Sequence, residues 1–271
     1  MPNHIMNHIS VIGDDDENTK LRQIAEFLRP EGKPLGYVDF NKLIPMPAAL
    51  QIESGPRGKQ GLNLYRKYIN AVAAISNKAE TGQITEQQKV FMLSNLKERY
   101  AKIVREDPDV FKLGKQYYEN LQQHGCTTWY EWSLRHWGTK WNAYDCLPFQ
   151  KDTERLAFST AWNGVPRILA FLSKQFPDIE IEYKWADEDI GQNVGHIIFF
   201  DGERIEDLSP RSDSREAYEQ AAELWDLDLE SEGFRLDKDG STYEYCEREP
   251  VIETPLEEPR KNKTRSRGDA R

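Results

Sequence analysis

The chain has 271 residues, of which 38% are apolar, 11% aromatic and 30% charged. This aromatic content argues against wholesale disorder, and no apolar run reaches the roughly 18 residues of a membrane-spanning helix. The N-terminal segment lacks the basic and apolar regions of a secretory signal, and the three cysteines are widely spaced, so we expect a cytoplasmic protein without a disulfide framework.

The net charge of −10 is unevenly distributed. Residues 201–258 contain 20 acidic and 6 basic residues, a net charge of −14, whereas residues 259–271 contain 6 basic residues and 1 acidic residue, a net charge of +5. An acidic surface repels nucleic acid and attracts basic partners. We therefore expect a basic protein rather than nucleic acid as the partner, although a charged region also serves simply to keep a surface solvated.

The first 50 residues predict a strand, a helix and a second short strand. Branched apolar residues over 3–12 predict the first strand, and the Gly-Asp-Asp-Asp sequence after it predicts a turn and a helix N-terminus. The helix is expected to end near Leu28, before three closely spaced prolines and glycines. Its predicted buried face consists of Leu21, Ile24, Ala25 and Leu28. Val38 and Phe40 predict the second strand, which two prolines stop.

A polar loop is expected over 51–61, and residues 62–123 predict three helices. The second helix begins at Thr85 and the third at Asp107-Pro108, before an end near Gly125. Apolar and tyrosine side chains recur at helical spacing, which is typical of core. They are Leu64, Tyr68, Val72, Ile75, Val90, Leu93, Leu96, Tyr100, Ile103 and Val104.

Four of the seven tryptophans fall within thirteen residues of the segment 126–145. Thr128 is placed to cap a helix with Trp129, Trp132 and His136 on one face, and Gly138 is expected to end it. The residues from 140 to 145 then predict an extended segment.

Residues 155–200 predict a β-α-β-β unit. A strand ends near Trp162, Pro166 opens a helix, and two further strands flank an acidic connector over 187–191. With the first β-α unit and the segment after Gly138, this predicts an α+β fold with a split β-α-β sheet and helices on one face. The strands that begin at Leu156 and Val194 must then share one sheet.

A further helix is predicted over 213–225, with Ala217, Ala221 and Leu224 facing inward. A weak hairpin is expected around Phe234 and Tyr243. Three prolines and many charges over 250–271 predict a disordered tail.

Five motifs stand in these segments: Met-Pro-Asn-His at 1–4, Phe-Asn-Lys-Leu-Ile-Pro-Met-Pro at 40–47, Trp-Tyr-Glu-Trp with Trp-Gly-Thr-Lys-Trp-Asn-Ala at 129–143, Thr-Ala-Trp at 160–162, and Ala-Asp-Glu-Asp-Ile-Gly at 186–191. They resemble the motifs of the YubB ferredoxin-like domain family, which includes api-like proteins of phages and plasmids. Leu43 is the one departure from the second motif, where the family has isoleucine. The resemblance covers roughly 1–50 and 120–225.

The resemblance implies a ferredoxin-like antiparallel sheet with helices on one face and no established reaction. It implies no cofactor, and three scattered cysteines cannot supply the four local thiolates of an iron–sulfur cluster. The predicted core is residues 1–50 and 120–225, interrupted by a helical insertion over 51–119. An acidic C-terminal extension over 226–250 and a disordered charged tail over 251–271 follow. The family's occurrence on mobile elements implies a host-facing role.

No sequence pattern of a nucleotide-binding loop, a serine hydrolase or a zinc protease is present, so we expect a non-enzymatic interaction protein, and the resemblance implies that it belongs to a phage or plasmid. Its partner would be a host protein, for example a nucleic-acid-handling defence enzyme whose basic cleft an acidic surface can occupy and inhibit. The predicted interface residues are Trp129, Trp132, Trp137, Trp141, Asp226, Asp228, Glu230 and Glu232.

Two alternatives remain open. Aromatic residues on a ferredoxin-like sheet face could stack the bases of single-stranded nucleic acid, although tryptophans at helical spacing are also typical of core. The aromatic and basic set is Trp129, Tyr130, Trp132, Trp137, Trp141, Tyr144, Arg135 and Lys140. Asp187, Glu188 and Asp189 could hold a divalent metal for hydrolysis, or could simply shape the connector between two strands.

A zinc site is a weaker hypothesis. It would combine His124 and Cys126 with His136 or Cys146, and these positions lack the paired-cysteine spacing of zinc sites.

Overall fold

The computed structural model describes residues 2–13 and 16–246, which contain both helices and strands in an α+β arrangement. The helices are α1 Glu17–Leu28, α2 Pro56–Glu80, α3 Glu86–Glu106, α4 Pro108–His124, α5 Trp129–His136, α6 Pro166–Gln175 and α7 Arg215–Trp225. The strands are β1 His4–Ile12, β2 Leu156–Ala161, β3 Glu180–Asp187, β4 Gly195–Phe200, β5 Glu203–Asp207, β6 Phe234–Leu236 and β7 Tyr243–Tyr245. Within these ranges every helix is too short or too polar to cross a lipid bilayer.

Five strands form one antiparallel sheet in the order β2-β1-β3-β4-β5, and β6 pairs with β7 in a separate hairpin. The first strand is therefore central, between β2 and β3. Because β1 is antiparallel to both neighbours, β2 and β3 run parallel to each other and α6 connects them as a split β-α-β unit. The prediction that the strands near Leu156 and Val194 share a sheet is confirmed.

The first face of the sheet packs against α1 and α6. Ile9, Tyr183 and Ile197 lie side by side on neighbouring strands of this face and are buried. The four predicted apolar residues of α1 are buried against them, as are Ile168, Leu169 and Leu172 of α6. Both helices thus lie on one face, as predicted.

The buried side chain of Asn7 on β1 joins this strand to its two neighbours, β2 and β3, through hydrogen bonds. The amide of Asn7 donates to the carbonyl of Phe158 at 3.2 Å and to Oγ1 of Thr160 at 2.9 Å, both on β2. Its Oδ1 accepts from the hydroxyl of Tyr183 on β3 at 2.6 Å, and that hydroxyl accepts from the backbone N–H of Val165 at 2.6 Å. Asn7 is fully buried, and its hydrogen-bonding groups are all used.

The second face of the sheet carries α7, which the predicted one-face arrangement did not include. Ala186 alternates with Trp185 along β3, so its side chain points to the opposite face from Tyr183 and Trp185. There it packs with Ala221 and Leu224 of α7. The predicted inward face of this helix is confirmed.

Helices α2, α3 and α4 make up the segment predicted as a helical insertion, and we keep that name for these three helices. Helices α2 and α4 cross where Gly61 meets Gly114, and a Cβ at Gly114 would lie 2.1 Å from the carbonyl of Gly61. Helix α3 has no buried residue, and Val90 and Phe91 are 65% and 67% exposed. The predicted core stripe on α3 is confirmed only in part: Val90 is exposed, whereas Leu93, Leu96, Tyr100, Ile103 and Val104 are half-buried.

Local capping signals set several helix boundaries as predicted. Thr85 and Gln88 form a reciprocal capping box at the start of α3, and Asp107 caps α4 through the N–H of Val110. Gly125 ends α4 in a left-handed conformation.

Three local predictions are wrong. The loop expected over 51–61 is helical from Pro56 onward. No strand forms at Val38, because the Asp39 side chain accepts from the N–H of Asn41 and begins a short 3-10 helix over Phe40–Lys42. Residues 140–145 form only an isolated bridge between Tyr144 and Ser159.

Strand β5 was not predicted, because all five of its residues are exposed and its sequence lacks an apolar alternation. The predicted hairpin near Phe234 is confirmed as β6 and β7. Asp14 and Asp15, part of the predicted turn before α1, lie outside the described residues, and so does the predicted disordered tail.

His8 gives the fold a dependence on pH. Its side chain is buried opposite Lys184 of β3, and burial, together with the charges of Arg155 and Lys184, lowers its pKa from 6.5 to about 3. Because the unfolded chain binds a proton at this residue between those two pH values, the stability that neutral His8 contributes is complete above pH 6.5 and is lost as the pH falls toward 3.

We predict that His8→Asn flattens the pH dependence of the free energy of unfolding below pH 6.5. One such group gives a slope of up to about 1.4 kcal/mol per pH unit. Urea denaturation at several pH values measures the slope, with His124→Gln at the end of α4 as the control. An unchanged slope in His8→Asn would contradict the prediction.

Candidate functional site

The four clustered tryptophans separate into a buried pair and a surface pair. Trp132 and Trp137 are only 5% and 4% exposed. The indole N–H of Trp137 donates to the carbonyl of Ile44 at 2.9 Å, and its ring meets that of Phe40 edge-on. Trp132 on α5 and Trp137 directly after it are both buried in the core, so neither offers the surface that the interface prediction requires.

The other two tryptophans, Trp129 and Trp141, line a cleft between the helical insertion and α5. The cleft has a volume of about 550 Å³. Its lining is Ser54, Gly55, Lys59, Tyr117, Thr127, Trp129, Tyr130, Glu131, Lys140 and Trp141. We call it the aromatic cleft.

Most polar groups at the base of the aromatic cleft are already engaged within the protein. The hydroxyl of Tyr117 donates to the carbonyl of Glu53 at 2.7 Å, and Gly58 lets this ring approach, because a Cβ there would lie 2.1 Å from it. The carboxylate of Glu131 accepts from both the N–H and the hydroxyl of Thr127 at 2.9 Å.

The groups left to face a ligand are therefore the aromatic rings and two lysines. Lys59 is exposed, and neither Lys59 nor Lys140 takes part in an ion pair with a described residue.

A row of rings continues from the aromatic cleft along the surface, and we call it the aromatic track. It runs Trp129, Tyr130, Trp162, Trp141, Tyr144 and His4. Its directly neighbouring rings have centroids between 5.7 and 6.3 Å apart. Trp162 and Trp141 are joined through the ammonium of Lys140, which lies 5.2 Å from the first ring and 4.3 Å from the second.

Trp162 holds its place in the track through an unfavourable backbone conformation. Its φ is 75°, in the left-handed region that a bulky residue adopts at an energetic cost. Its N–H donates to the carbonyl of Asn3 at 3.0 Å, and its carbonyl accepts from the side-chain amide of Asn193 at 3.0 Å. These bonds fix the conformation and direct the ring toward Tyr130 and Lys140.

The far end of the track is a hydrogen-bonded pair. The hydroxyl of Tyr144 lies 2.7 Å from Nδ1 of His4 and donates to the carbonyl of Thr160 at 3.1 Å. Burial, with the nearby charges of Asp145 and Glu188, raises the pKa of Tyr144 to about 12. The hydroxyl therefore remains protonated and keeps the ring attached to β2.

The aromatic cleft lies in the positively charged part of the chain. Residues 51–175 contain 18 basic and 12 acidic residues, a net charge of +6. Residues 176–246 contain 6 basic and 21 acidic residues, a net charge of −15. All residues that line the cleft belong to the first group. The lining itself carries two lysines, Lys59 and Lys140, and one acidic residue, Glu131, so the cleft is positively charged although the whole chain is negatively charged.

The aromatic residues do not lie on a sheet face, so that part of the nucleic-acid alternative is wrong. They belong to α5, to the segment that follows it, and to the ends of β1 and β2. Of the basic residues expected beside them, Lys140 is in the cleft, whereas the guanidinium of Arg135 donates to the carbonyl of Gly125 at 3.0 Å. Lys59, Trp162 and His4 were missed, although Trp162 lies in the Thr-Ala-Trp motif and His4 in the Met-Pro-Asn-His motif.

The predicted metal ligands serve the fold instead. Asp187 is buried and accepts from the amide of Asn3 at 3.1 Å and from the N–H of Asp189 at 3.0 Å. Glu188 accepts from the N–H of His4 at 3.0 Å. In the part of the chain that the structure describes, no three His, Cys, Asp or Glu residues group together to hold a metal ion.

The four acidic interface residues lie apart from the aromatic cleft in sequence, on the segment between α7 and β6. Asp226, Asp228, Glu230 and Glu232 are all exposed. Asp226 ends α7 in a left-handed conformation, and Asp228 accepts from the N–H of Ser231 at 2.7 Å. Their carboxylates therefore remain largely open to solvent.

Comparisons with known proteins support the family resemblance. Residues 136–228 match the family model described as "Ferredoxin-like domain in Api92-like protein". A crystal structure of the protein api92 from Yersinia pseudotuberculosis is similar at 12% identity and a TM-score of 0.34, over 78% of this chain and 99% of that chain. No curated protein matches the chain.

The division of the tryptophans predicts different costs of substitution. We expect Trp137→Ala to lower the free energy of unfolding by about 3–5 kcal/mol, because it leaves a cavity in the core. Trp141→Ala should lower it by about 1 kcal/mol or less, because this side chain is 37% exposed. Urea denaturation measures both, and equal losses would contradict the division.

Proposed function

The chain carries a ferredoxin-like domain of the Api92-like family, and from this premise we propose that it is a non-enzymatic binding protein whose aromatic cleft and track bind single-stranded nucleic acid. The observation that carries the proposal is the position of Lys140, whose ammonium lies between the rings of Trp141 and Trp162. A cation within a row of rings suits a ligand that combines flat bases with phosphates.

The chemistry of the site favours a nucleotide over a cationic ligand or a purely apolar one. A cationic ligand is disfavoured because Lys59 and Lys140 already face the cleft. A purely apolar ligand would leave both ammonium groups without a counterion. An unpaired nucleotide satisfies the rings by stacking and the lysines by ion pairing.

The length of the track favours several consecutive nucleotides over one. Its six rings extend from the cleft to His4, so successive bases can each meet a ring. Bases in a duplex are already stacked on one another and cannot use the rings in this way. The net charge of −10 does not oppose the proposal, because the acidic residues concentrate in 176–246, outside the cleft lining.

We predict that Trp141→Ala weakens binding of a fluorescein-labelled oligothymidine of about 12 nucleotides by roughly 5- to 100-fold, since each stacked base contributes ~1–3 kcal/mol. Lys140→Gln should also reduce the slope of log affinity against log salt concentration by about one unit, because it removes one phosphate contact. Fluorescence anisotropy at about 50 mM salt measures both effects.

The matched control is Tyr245→Ala, which removes an aromatic ring that is 66% exposed on β7. It should leave the affinity unchanged, and a duplex of the same length should bind weakly. Failure of the wild-type chain to bind the oligothymidine, or equal binding by wild type and Trp141→Ala, would reject the proposal.

A second proposed function concerns the acidic part of the chain. We propose that residues 176–246, with a net charge of −15, bind a basic surface of a host protein, such as the nucleic-acid cleft of a defence enzyme. The exposed carboxylates of Asp226, Asp228, Glu230 and Glu232 support it. The resemblance to api-like proteins of phages and plasmids is the reason to place the partner in a host.

For this second function we predict that changing Asp226 and Asp228 to Asn, and Glu230 and Glu232 to Gln, weakens capture of the host partner in low salt. Affinity purification from host lysate, followed by mass spectrometry, compares this variant with the wild type. Trp141→Ala should retain the partner, which separates this function from nucleic-acid binding. Recovery of the same proteins by both forms would argue against a role for these carboxylates.

A further inference from the structure

The two edges of the five-stranded sheet differ in how they are covered. At the β2 edge, the backbones of Tyr144 and Ser159 exchange two hydrogen bonds of 3.1 and 2.7 Å, and the N–H of Leu147 donates to the carbonyl of Ala157 at 2.9 Å. The hydroxyl of Thr139 also bonds both backbone groups of Ala161. This edge is therefore closed by the segment 139–147.

The β5 edge has no such cover. Strand β5 ends the sheet order and pairs only with β4 among the described residues, and all five of its residues are exposed. An exposed strand edge presents backbone N–H and C=O groups that another extended chain can pair with. We call this outer side of β5 the open edge.

Exposed apolar side chains lie on β5 and on the residues next to it. Ile205 and Leu208 are 48% and 51% exposed, and Phe200 at the end of β4 is 38% exposed. A pocket of about 220 Å³ adjoins the start of β5 and includes Phe171 of α6, which is 43% exposed. These features give an added strand apolar surface as well as backbone partners.

The charges of the open edge define the partner. Arg204 pairs with Asp207 at 2.9 Å, and Lys174 pairs with Asp201 at 2.8 Å. Glu203 and Glu206 take part in no ion pair with the described residues, so the edge keeps two unneutralised carboxylates. A second copy of β5 would bring the same carboxylates with it, whereas a basic strand would neutralise them.

We infer that the open edge binds an extended peptide with alternating basic and apolar residues, which adds to the sheet as a sixth strand. Backbone hydrogen bonds between β5 and the peptide supply the affinity. Glu203 and Glu206 select the basic side chains of the peptide, and Ile205 and Phe171 contact its apolar side chains. The inference rests on the second proposed function, the binding of a basic protein, and specifies its site and mode.

The test uses the full chain and a fluorescein-labelled heptapeptide, Lys-Val-Lys-Val-Lys-Val-Lys. We expect saturable binding by fluorescence anisotropy, and slower hydrogen exchange at the backbone amides of β5. The double variant Glu203→Gln with Glu206→Gln should bind roughly 3- to 10-fold more weakly. Phe171→Ala should also weaken binding, although this exposed residue contributes little to the fold.

Two controls make the outcome decisive. The same peptide with N-methylated backbone amides keeps its charge but cannot pair as a strand, so equal binding by it would overturn the inference in favour of simple charge attraction. Loss of binding on neutralising Asp226, Asp228, Glu230 and Glu232, but not Glu203 and Glu206, would overturn the open-edge site and leave the second proposed function standing. Self-association of the wild type through β5, seen by light scattering, would assign the edge to a second copy instead.

Discussion

The amide of Asn7 is fully buried in the central strand, where a polar group is tolerated only if its hydrogen bonds are satisfied. It bonds β2 through Phe158 and Thr160, and it bonds β3 through the hydroxyl of Tyr183, which in turn holds the start of α6 at Val165. Only the order β2-β1-β3 brings these partners together, so a change of register or neighbour would leave several buried polar groups unpaired. The split β-α-β arrangement thus depends on a small satisfied polar network, centred on Asn7, within a mostly apolar face.

The same central sheet positions the aromatic cleft, although the cleft lies outside it. The segment after α5 is attached along the outer edge of β2 by Thr139 and Tyr144, and this attachment carries Lys140 and Trp141 to the end of β2, where Trp162 begins the next turn. The left-handed conformation of Trp162 is held by Asn3 beside β1 and by Asn193 before β4. The same residues therefore close the β2 edge and form part of the aromatic track.

Separation of charge gives the molecule two surfaces with different chemistry. The insertion and the tryptophan segment carry a net positive charge, whereas the residues from 176 to 246 carry a large negative one. Like-charged residues near one another destabilise the folded chain slightly, but they create fields that attract oppositely charged partners. The cleft at 54–141 and the open edge at β5 belong to opposite parts of this division. Their proposed ligands, an anionic strand and a basic peptide, follow from that.

The sequence by itself determined the elements whose signals are local. Alternating or helical apolar patterns, the Thr85 and Asp107 caps, and Gly125 placed β1, α1, α3, α4 and α6 close to where they are, because such signals act within a few residues. The motifs around Trp137 also indicated the ferredoxin-like domain whose family model matches residues 136–228. Tertiary structure alone decided which tryptophans are buried, that α7 covers the second face, and that α3 has no fully buried residue, because burial depends on which elements are adjacent. The aromatic track contains both His4 and Trp162, which are far apart in the sequence, and only the pairing of β1 with β2 brings them together.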